Sequence, residues 1–576
     1  MRELQRLEVL FKKNRLLCIM RFRILALIAC SAAGLKLSAQ GALYAPNSFA
    51  DRWLQTIEIK GFHRNFDNEK RLGHFDPGNR FYDRRDVSQF TGLGGGKMAE
   101  GGFMADYIKR DNPEWNTYAS SNRMPFKPFY ERPAAFYMWN DTSNAIVINP
   151  VLNVHGQPGA TNPLQQNTRG VELRGKISNK LSFWSQVTEN QVFLPGWADT
   201  MARSYGVVEG EGFWKPFKKR GVDFLQARGY LSTSALNDRV RIVAGHDRIF
   251  TGNGIRSLIL SDHAKEYLHL RLHTDLGPFR YQNVFARLNG FLPLTGDRLQ
   301  PIKYMAMHRA SVHIRPNLEF GLSEMVIFDR SDSFGQRGFD ADYLNPVIFY
   351  RTIESHRGSR DNALLAFDWK WNFLDKFQFY GQFLLDEFKL KYLRENSGWW
   401  ANKYAWQAGV KYTVLDNKLG WLFLQAEANR VRPYTYSHYR TSQAYTHYNQ
   451  MLAHPLGSNF SEILFSMQWQ PYQYGGIAML NRFFLRADWM QAQRGKDIAG
   501  VNYGNDPRLD NDTRPYEFGH SMFQGQAETI RSLQISLSYM LRHNLFIDAR
   551  MIRRSGHEQF FTLGLRLNAE ARNYQY

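Results

Sequence analysis

From Arg169 onward, the sequence repeats segments of about ten residues in which every second side chain is apolar. Segments 406–414 and 561–568 show this alternation. In segment 532–541, apolar side chains at the odd positions alternate with Ser532, Gln534, Ser536 and Ser538. A period of two predicts strands that turn one face to apolar surroundings and the other to polar groups or water. Its recurrence along the chain predicts an all-β fold, a transmembrane antiparallel outer-membrane β-barrel.

The candidate strands are joined alternately by short and long links. They lie near 169–178, 180–190, 222–231, 238–247, 266–273, 279–289, 303–313, 317–326, 363–373, 376–388, 403–414, 420–430, 460–471, 481–493, 529–541, 544–553 and 559–570. Short periplasmic turns and long external loops are typical of outer-membrane barrels. Because single-chain bacterial barrels close with an even number of strands, we expect about 18, with 16 as the alternative. The partial alternation of 145–154 predicts the strand that is missing from these candidates.

The N-terminus has the pattern of a secretory leader. Arg21 and Arg23 precede the apolar run 24–34, and the small residues 38–41 follow it. This run is too short for a membrane-spanning helix, which needs about 20 residues, so 1–40 is predicted to be a signal peptide. Met20 opens an ordinary leader by itself, which makes 1–19 a possible upstream extension of the reading frame.

Both cysteines, Cys18 and Cys30, lie inside this leader. Cleavage near Gln40 therefore predicts a mature chain without a disulfide or a cysteine metal site. The alternative is a lipoprotein, because 27–30 resembles a lipobox and would make Cys30 a lipidated N-terminus.

Residues 41–140 lack clean alternation and are rich in glycine, proline and asparagine. We expect a non-barrel, periplasmic or plug-like segment here, followed by the barrel over 141–576. The glycine run 92–96 does not form a phosphate-binding loop, because Thr91 stands where the first glycine should be and Met98 replaces the magnesium-binding hydroxyl residue.

The net charge is +20, and residues 1–40 contribute eight Lys/Arg and two Asp/Glu, so +6 leaves with the leader and +14 remains. A basic excess attracts polyanions such as anionic lipid headgroups or acidic polysaccharide. Nucleic acid is not an expected partner for an exported barrel. Aromatic residues make up 15% of the chain, which fits the two aromatic girdles of such barrels.

Several motifs resemble one family. The run 245–262 resembles the Gly-x-Gly-x-Arg-Ser-Leu-x-Leu-Ser signature of the Wzi-type capsule-assembly outer-membrane proteins, and in particular their Bacteroidota branch, which includes gliding-motility RemB-like proteins. The resemblance covers roughly 170–576. Its other marks are 344–351, 361–365, 385–389, 398–403, 429–436 and 454–457.

The resemblance implies a lectin-like barrel that binds exopolysaccharide or capsule at the cell surface, in contact with outer-membrane lipopolysaccharide. Sugar rings stack on aromatic planes, and their hydroxyls pair with amide, carboxylate and guanidinium groups. Two loop clusters supply these side chains. The binding candidates are Trp399, Trp400, Asn402, Tyr434, Tyr436, His438, Tyr445, His447, Tyr448 and Asn449. Aromatic-girdle and loop packing are the alternative roles for them.

Other motif residues are expected to be structural. Gly252 and Gly254 allow a tight turn, and Arg256 with Asp262 could form a buried inward pair that pins the loop in the lumen. Asp386 and Glu387 are adjacent, so a strand points them to opposite faces and they cannot act as a carboxylate pair. The expected structural set is Gly252, Gly254, Arg256, Ser257, Asp262, Asn345, Pro346, Arg351 and Arg432.

No enzyme, cofactor or metal site is predicted. The chain has no Gly-x-Ser-x-Gly elbow, and His557-Glu558 lacks the second histidine of a zinc helix. An enzyme assembled from scattered loop residues stays open as an alternative. Two further alternatives are a porin and a structural partner of the gliding-motility or type IX secretion machinery. Lumen width discriminates them, because a plugged lumen favours a lectin or scaffold and an open one favours a porin.

Overall fold

The computed structural model describes residues 136–140, 144–158, 163–178, 181–236, 239–290, 300–315, 317–329, 331–332, 335–336, 338–345, 361–374, 376–417, 420–471, 482–498, 500–542, 545–557, 559–570 and 572. The expectations for the leader 1–40, for Cys30 and for 41–135 lie outside these residues and stay predictions. The same holds for Pro346 and Arg351 in the family-like motif.

Eighteen antiparallel strands form one closed barrel, as the alternation predicted. The strands are β1 Ala145–Gly156, β2 Gln165–Ile177, β3 Leu181–Phe193, β4 Gly221–Ala235, β5 Val240–Asp247, β6 Tyr267–Leu276, β7 Phe279–Asn289, β8 Ile302–Arg315, β9 Leu318–Phe328, β10 Asn362–Phe373, β11 Phe377–Glu387, β12 Lys403–Asn417, β13 Gly420–Val431, β14 Phe460–Pro471, β15 Phe483–Lys496, β16 Gln526–Arg542, β17 Leu545–Arg554 and β18 Phe560–Leu567. Each strand pairs with its neighbours in chain order.

The barrel closes between its first and last strands. β1 pairs with β2 along its whole length, and its second half pairs with β18 from Leu152 opposite Leu567 to Gly156 opposite Leu563. The short strand Tyr137–Asn140 pairs with the first residues of β1 on the edge that β18 leaves open. The strand missing from the clear alternation is therefore β1, and the expected even number is confirmed.

The connections at the two ends of the barrel differ in length. At the end that carries both barrel termini, seven of the links contain only two to four residues, and the link between β14 and β15 is longer. Every long loop, including 194–220, 248–266, 432–459 and 497–525, lies at the opposite end. Because outer-membrane barrels keep short turns in the periplasm and long loops outside, the long-loop end is extracellular.

The alternation along each strand separates a lipid-facing set from an inward set. Large apolar side chains such as Val171, Leu225 and Leu563 are exposed on the outer wall. Charged side chains such as Glu172 and Asp548 on the opposite face are buried in the lumen. An apolar outer face with a polar inner face is the arrangement of a barrel embedded in a bilayer.

The loops carry the remaining elements. They include the helices α1 Gly196–Tyr205 and α2 Leu390–Arg394 and the 3-10 helices Ala341–Leu344, Thr441–Gln443 and Asn511–Thr513. Short strand pairs are Val207–Val208 with Gly212–Phe213, Ser331–Asp332 with Gly335–Gln336, and Thr446–His447 with Gln450–Met451, while Lys215–Phe217 adds to β4. Within the described part of the chain, no helix is long and apolar enough to cross a membrane.

Candidate functional site

The loop 248–266, between β5 and β6, enters the lumen and is fixed to the inner wall by its backbone. Ile255 N and Arg256 N donate to the two carboxylate oxygens of Glu427 at 2.5 and 3.0 Å. The side chain of Gln382 accepts from Leu258 N at 2.7 Å and donates to Thr251 O at 3.0 Å. Because Gln382 and Glu427 lie in the middle of β11 and β13, the loop reaches well below the barrel rim.

The two motif glycines are needed because this loop lies so close to the wall. A Cβ on Gly252 would lie 2.2 Å from Gln382 Nε2, and the backbone there has a φ of 130°. A Cβ on Gly254 would lie 2.4 Å from Glu427 Oε2 and 2.9 Å from Gln407 Oε1. Glycine therefore allows a close approach to side chains on distant strands, in addition to the turn expected from the sequence.

Ser257 folds the same loop onto itself. Its hydroxyl donates to Thr251 O and accepts from Ile259 N and Leu260 N at 3.1 and 3.2 Å. Arg256 and Asp262 both line one lumen cavity, and the ion pair expected between them stays a prediction.

A second loop, 432–459, packs on the first through buried tyrosines. Tyr436 and Tyr445 donate their hydroxyl hydrogens to the carbonyls of Leu258 and Ile259 at 2.7 and 2.8 Å. Their rings stack with centroids 5.8 Å apart. Ser261 N donates to Leu452 O at 2.8 Å. We call residues 248–266 and 432–459 together the loop layer, since buried side chains of both loops belong to one apolar cluster inside the barrel.

Four candidate residues in this layer have a left-handed backbone, with φ between 53° and 74°. They are Tyr434, Tyr436, Tyr448 and Asn449. This conformation is costly for residues with a side chain and persists only where the surrounding packing enforces it. Tyr434 shows such packing, because its hydroxyl donates to Asn502 O at 2.8 Å and its side chain is fully buried.

Burial keeps the loop histidines His438 and His447 neutral at pH 7. Burial lowers the pKa of His438 to about 4 and that of His447 to about 3. The His447 ring accepts from Asn289 N at 2.9 Å. Burial also lowers the pKa of His263 to about 3 and raises that of Glu209 to about 7, although these side chains lie 3.5 Å apart. At pH 7 His263 is therefore neutral and Glu209 is about half protonated, so the contact does not join two full charges.

The structure separates the predicted binding residues into a buried and an accessible group. Asn402, Tyr434, Tyr436, His438, Tyr445, His447 and Asn449 are buried and packed against neighbouring loops. Trp399, Trp400 and Tyr448 are partly exposed. Of the expected structural set, Arg432 lies with its guanidinium 5.5 Å from the Tyr404 ring, and Asn345 ends the 3-10 helix Ala341–Leu344.

The accessible tryptophans belong to a surface aromatic patch made by two extracellular loops. We use this name for Tyr392, Trp399, Trp400, Tyr516 and Phe518. Tyr392 contacts Trp399 and Phe518 at centroid distances of 5.0 and 5.3 Å, and the two tryptophan rings are 6.4 Å apart. Phe518 and Tyr516 are exposed. The patch therefore presents the exposed rings of Tyr516 and Phe518, and parts of the half-buried tryptophans, to the cell exterior.

Charged groups surround this patch. Lys389 Nζ lies 4.7 Å from the Trp399 ring, and the Arg514 guanidinium lies 4.1 Å from the Trp400 ring. Trp400 Nε1 donates to Glu517 Oε2 at 2.8 Å, and Glu517 pairs with Arg514. The sequence does not identify Arg514, Glu517 and Phe518 as residues of this site, because their loop follows Trp400 by more than a hundred residues. Only the aromatic and charged composition of 512–518 could have indicated them.

The C-terminal end of the described chain enters the lumen from the periplasmic side. Asn568, with a φ of 51°, turns the chain inward after β18. Asn153 Nδ2 then donates to Glu570 O at 3.1 Å, and Arg572 pairs with Glu211 of loop 194–220 at 3.0 Å. A polar cavity of about 310 Å³ lies between this segment and the loop layer.

One solved structure with a similar fold is that of Wzi, an outer membrane protein involved in group 1 capsule assembly in Escherichia coli, described as a carbohydrate-binding β-barrel. The two structures share a TM-score of 0.51 and 12% identity over 94% of this chain and 100% of that one. Acinetobacter baumannii OccAB2 and Pseudomonas aeruginosa OprD each give a TM-score of 0.38 at 9% identity, covering 74% and 73% of this chain and 97% and 94% of theirs.

No protein-family model matches the chain, and no curated protein matches it by sequence. The structural likeness to Wzi, at such low identity, shows the fold alone. A closed barrel with an apolar outer belt has no other place to bury that belt than a bilayer, and single-chain barrels of this architecture are outer-membrane proteins. The protein is therefore an outer-membrane β-barrel.

Proposed function

We propose that this barrel binds exopolysaccharide or capsule at its extracellular face, as a lectin-like attachment protein and not as an enzyme. The surface aromatic patch carries this proposal, because its rings lie on extracellular loops beside cations and a carboxylate. Aromatic faces stack on the C–H faces of sugars, and guanidinium and carboxylate groups pair with hydroxyls and acidic substituents. Wzi, which has a similar fold, is described as carbohydrate binding.

The filled lumen supports the same proposal over a porin. The loop layer places buried apolar side chains in the extracellular half, and the segment that carries Glu570 and Arg572 enters from below. A general solute channel needs a continuous water-filled path, which this packing opposes. A scaffold for gliding or type IX secretion machinery is the alternative that a filled lumen also suits.

The cations favour an acidic glycan. Lys389 lies over the Trp399 ring, and Lys391 and Arg394 are exposed on α2 beside it, whereas Arg514 is already paired with Asp512 and Glu517. Exposed charges are screened beyond about 10 Å at 0.1 M ionic strength. Binding of an acidic polysaccharide should therefore weaken as salt rises, whereas stacking on the rings persists.

The test is binding of extracted surface polysaccharide to the purified barrel. The double variant Trp399→Ala/Trp400→Ala should bind about tenfold more weakly or worse, which corresponds to ~1.4 kcal/mol. Trp399→Phe, which keeps a stacking ring, should retain most of the affinity. Trp469→Ala is the matched control, because Trp469 is a partly exposed tryptophan on the outer wall near the periplasmic end of β14.

Each result decides between the candidates. Equal binding by the double variant and the wild type, with both barrels heat-modifiable on a gel, places the glycan elsewhere. No glycan binding by the wild type favours the scaffold. Substitution of Tyr434, Tyr436 and His438 is a poorer test, since these residues are buried and their loss disturbs the loop layer itself.

A further inference from the structure

A cluster of cations lies on the outer wall of the barrel, away from the surface aromatic patch. The strand Lys215–Phe217 pairs with the start of β4, which places Lys215 opposite Asp223 and Phe217 opposite Gly221. Residues 215–223 contain four Lys/Arg and one Asp, a net charge of +3. Lys215, Lys218 and Lys219 are exposed. We call residues 215–220 the basic rim.

The register fixes the direction of these side chains. In β4, Val222 and Phe224 are buried in the lumen, whereas Leu225 is 62% exposed, so the odd positions face outward. Residues directly opposite each other in an antiparallel pair share one face. Lys215 and Phe217, opposite Asp223 and Gly221, therefore point away from the lumen.

The basic rim lies at the upper edge of the apolar belt. On the neighbouring strands Val171 pairs with Val187, and both are exposed on the outer wall. One step closer to the extracellular end, the outward positions become charged, and Arg169 pairs with Glu189 at 3.0 Å. The belt therefore ends at this height, and the basic rim is next to the level where acyl chains give way to headgroups.

Aromatic rings lie among the cations of the basic rim, at the level of Gly221. Phe193 and Phe217 contact each other with centroids 6.0 Å apart. The Arg220 guanidinium lies 5.1 Å from the Phe193 ring, and Lys218 Nζ lies 5.1 Å from the Phe217 ring. The two rings therefore lie among the cations, and Leu225, the next outward position of β4 below Asp223, is the nearest side chain of the apolar belt on this strand.

We propose that the basic rim binds the phosphorylated headgroup of an outer-leaflet glycolipid, a site separate from the proposed glycan site. The phosphate pairs with Lys215, Lys218 and Lys219, because ammonium groups hold phosphate as point charges and clustered cations attract anionic headgroups. The acyl chains lie along Leu225 and Val187 of the apolar belt below, and the Phe193 and Phe217 rings lie beside the headgroup. A soluble acidic polysaccharide could use the cations, but it has no acyl chain for the apolar part of this face.

The test compares two triple variants of the full chain purified in detergent. Lys215→Gln/Lys218→Gln/Lys219→Gln removes three charges from the basic rim. The control Arg239→Gln/Arg315→Gln/Lys376→Gln removes three exposed charges from the periplasmic end of the barrel. Native mass spectrometry measures the co-purified glycolipid, and a gel of boiled and unboiled samples shows that each barrel is closed.

The rim variant should retain at least tenfold less glycolipid than the wild type and the control. Delipidated wild type should then bind purified lipid A, and lipid A without its phosphates should bind at least tenfold more weakly. Trp399→Ala/Trp400→Ala should bind lipid A normally, so failure of the glycan proposal leaves this one intact.

Three results overturn the proposal. The first is equal glycolipid in the rim variant and the wild type. The second is equal binding of lipid A with and without phosphate. The third is displacement of lipid A by lipid-free acidic polysaccharide at comparable concentration, which assigns the basic rim to the polysaccharide instead.

Discussion

The two halves of the lumen are filled by opposite chemistry, although the same strands line both. In the extracellular half, Leu258 and its neighbours from the loop layer pack against inward apolar side chains such as Met305, Met325 and Leu384. In the periplasmic half, the next inward positions of those strands carry buried charges, among them Arg309 and Asp368. Inward-facing side chains are therefore not always polar in this barrel. Apolar residues line the wall where it contacts the loop layer, and charged residues line it below.

The periplasmic half is held by ion pairs between strands. Arg309 donates to both oxygens of Asp368 at 2.6 and 3.0 Å. Glu319 lies 3.3 Å from Arg309 and 3.2 Å from Lys370. Because charges removed from water are tolerated only when paired, matched charges hold this half together. The other half is held by packed apolar side chains and by hydrogen bonds from the loop backbone to Gln382 and Glu427.

The largest expected effect comes from breaking one buried pair. Arg309→Met leaves Asp368 buried without its bidentate partner and should destabilise the barrel by ~3–5 kcal/mol. Denaturant unfolding in detergent measures the change. Arg169→Met, which breaks the exposed pair with Glu189 on the outer wall, is the control and should change stability far less. Equal losses in the two variants contradict the contrast between a buried and an exposed pair.

A core substitution in the extracellular half comes next. Leu258→Ala should destabilise the loop layer by ~2–5 kcal/mol, because the cavity cannot collapse around the fixed wall. Limited proteolysis should then cut within 432–459 while the barrel stays heat-modifiable. Leu225→Ala is the control, since Leu225 faces outward and packs in no protein core. Unchanged protease resistance of Leu258→Ala would mean that the layer is not one packed unit.

Crowding at the wall should have a smaller effect. Gly254→Ala places a methyl group 2.4 Å from Glu427 Oε2, and overpacking of this kind costs ~1–3 kcal/mol. We expect faster amide exchange in 248–266. Gly156→Ala is the matched control, because a Cβ there meets no atom within 4 Å. Similar exchange in the two variants argues against a close contact between the loop and Glu427.

Acidification should loosen the loop layer more than the ion-paired half. Burial lowers the pKa of His438 from 6.5 to about 4. Above pH 6.5 this histidine is neutral in both the packed and the open loop, so it does not affect the stability of the packed layer. As pH falls from 6.5 to about 4, His438 binds a proton in the open loop but not in the packed layer, so the packed layer is destabilised. His447 acts in the same direction, and Glu209, with its raised pKa, acts in the opposite direction between 4.5 and 7. Amide exchange at pH 7.5 and 4.5 measures the balance, and His438→Gln should reduce the difference.

The wall could be predicted from the sequence and the loop layer could not. Strand positions follow from a period of two, which is local, and even the weak β1 could be placed because barrels close with even numbers. The burial of Tyr436 depends on Leu258, far away in the chain. The alternation shows that Glu427 faces inward, but not that it holds the backbone of Ile255.

The sequence also does not show which candidate binding residues are buried and which are accessible. The composition of 399–402 and 434–449 indicated sugar-binding side chains in loops, and it could not distinguish the exposed face of Trp399 from the buried ring of Tyr445. Which loop residues face outward is decided by packing between loops that are distant in sequence. Arg514 over Trp400 is a further case, since nothing near either residue predicts the contact.

Electrical recording of the purified wild-type barrel in planar bilayers tests most directly whether the loop layer closes the lumen. We expect no steady conductance from the wild type or from Gly156→Ala, and brief openings from Leu258→Ala and Gly254→Ala as the loop layer loosens. Steady, stepwise conductance from the wild type, of the size of an open porin, would contradict a lumen that is filled by its own loops.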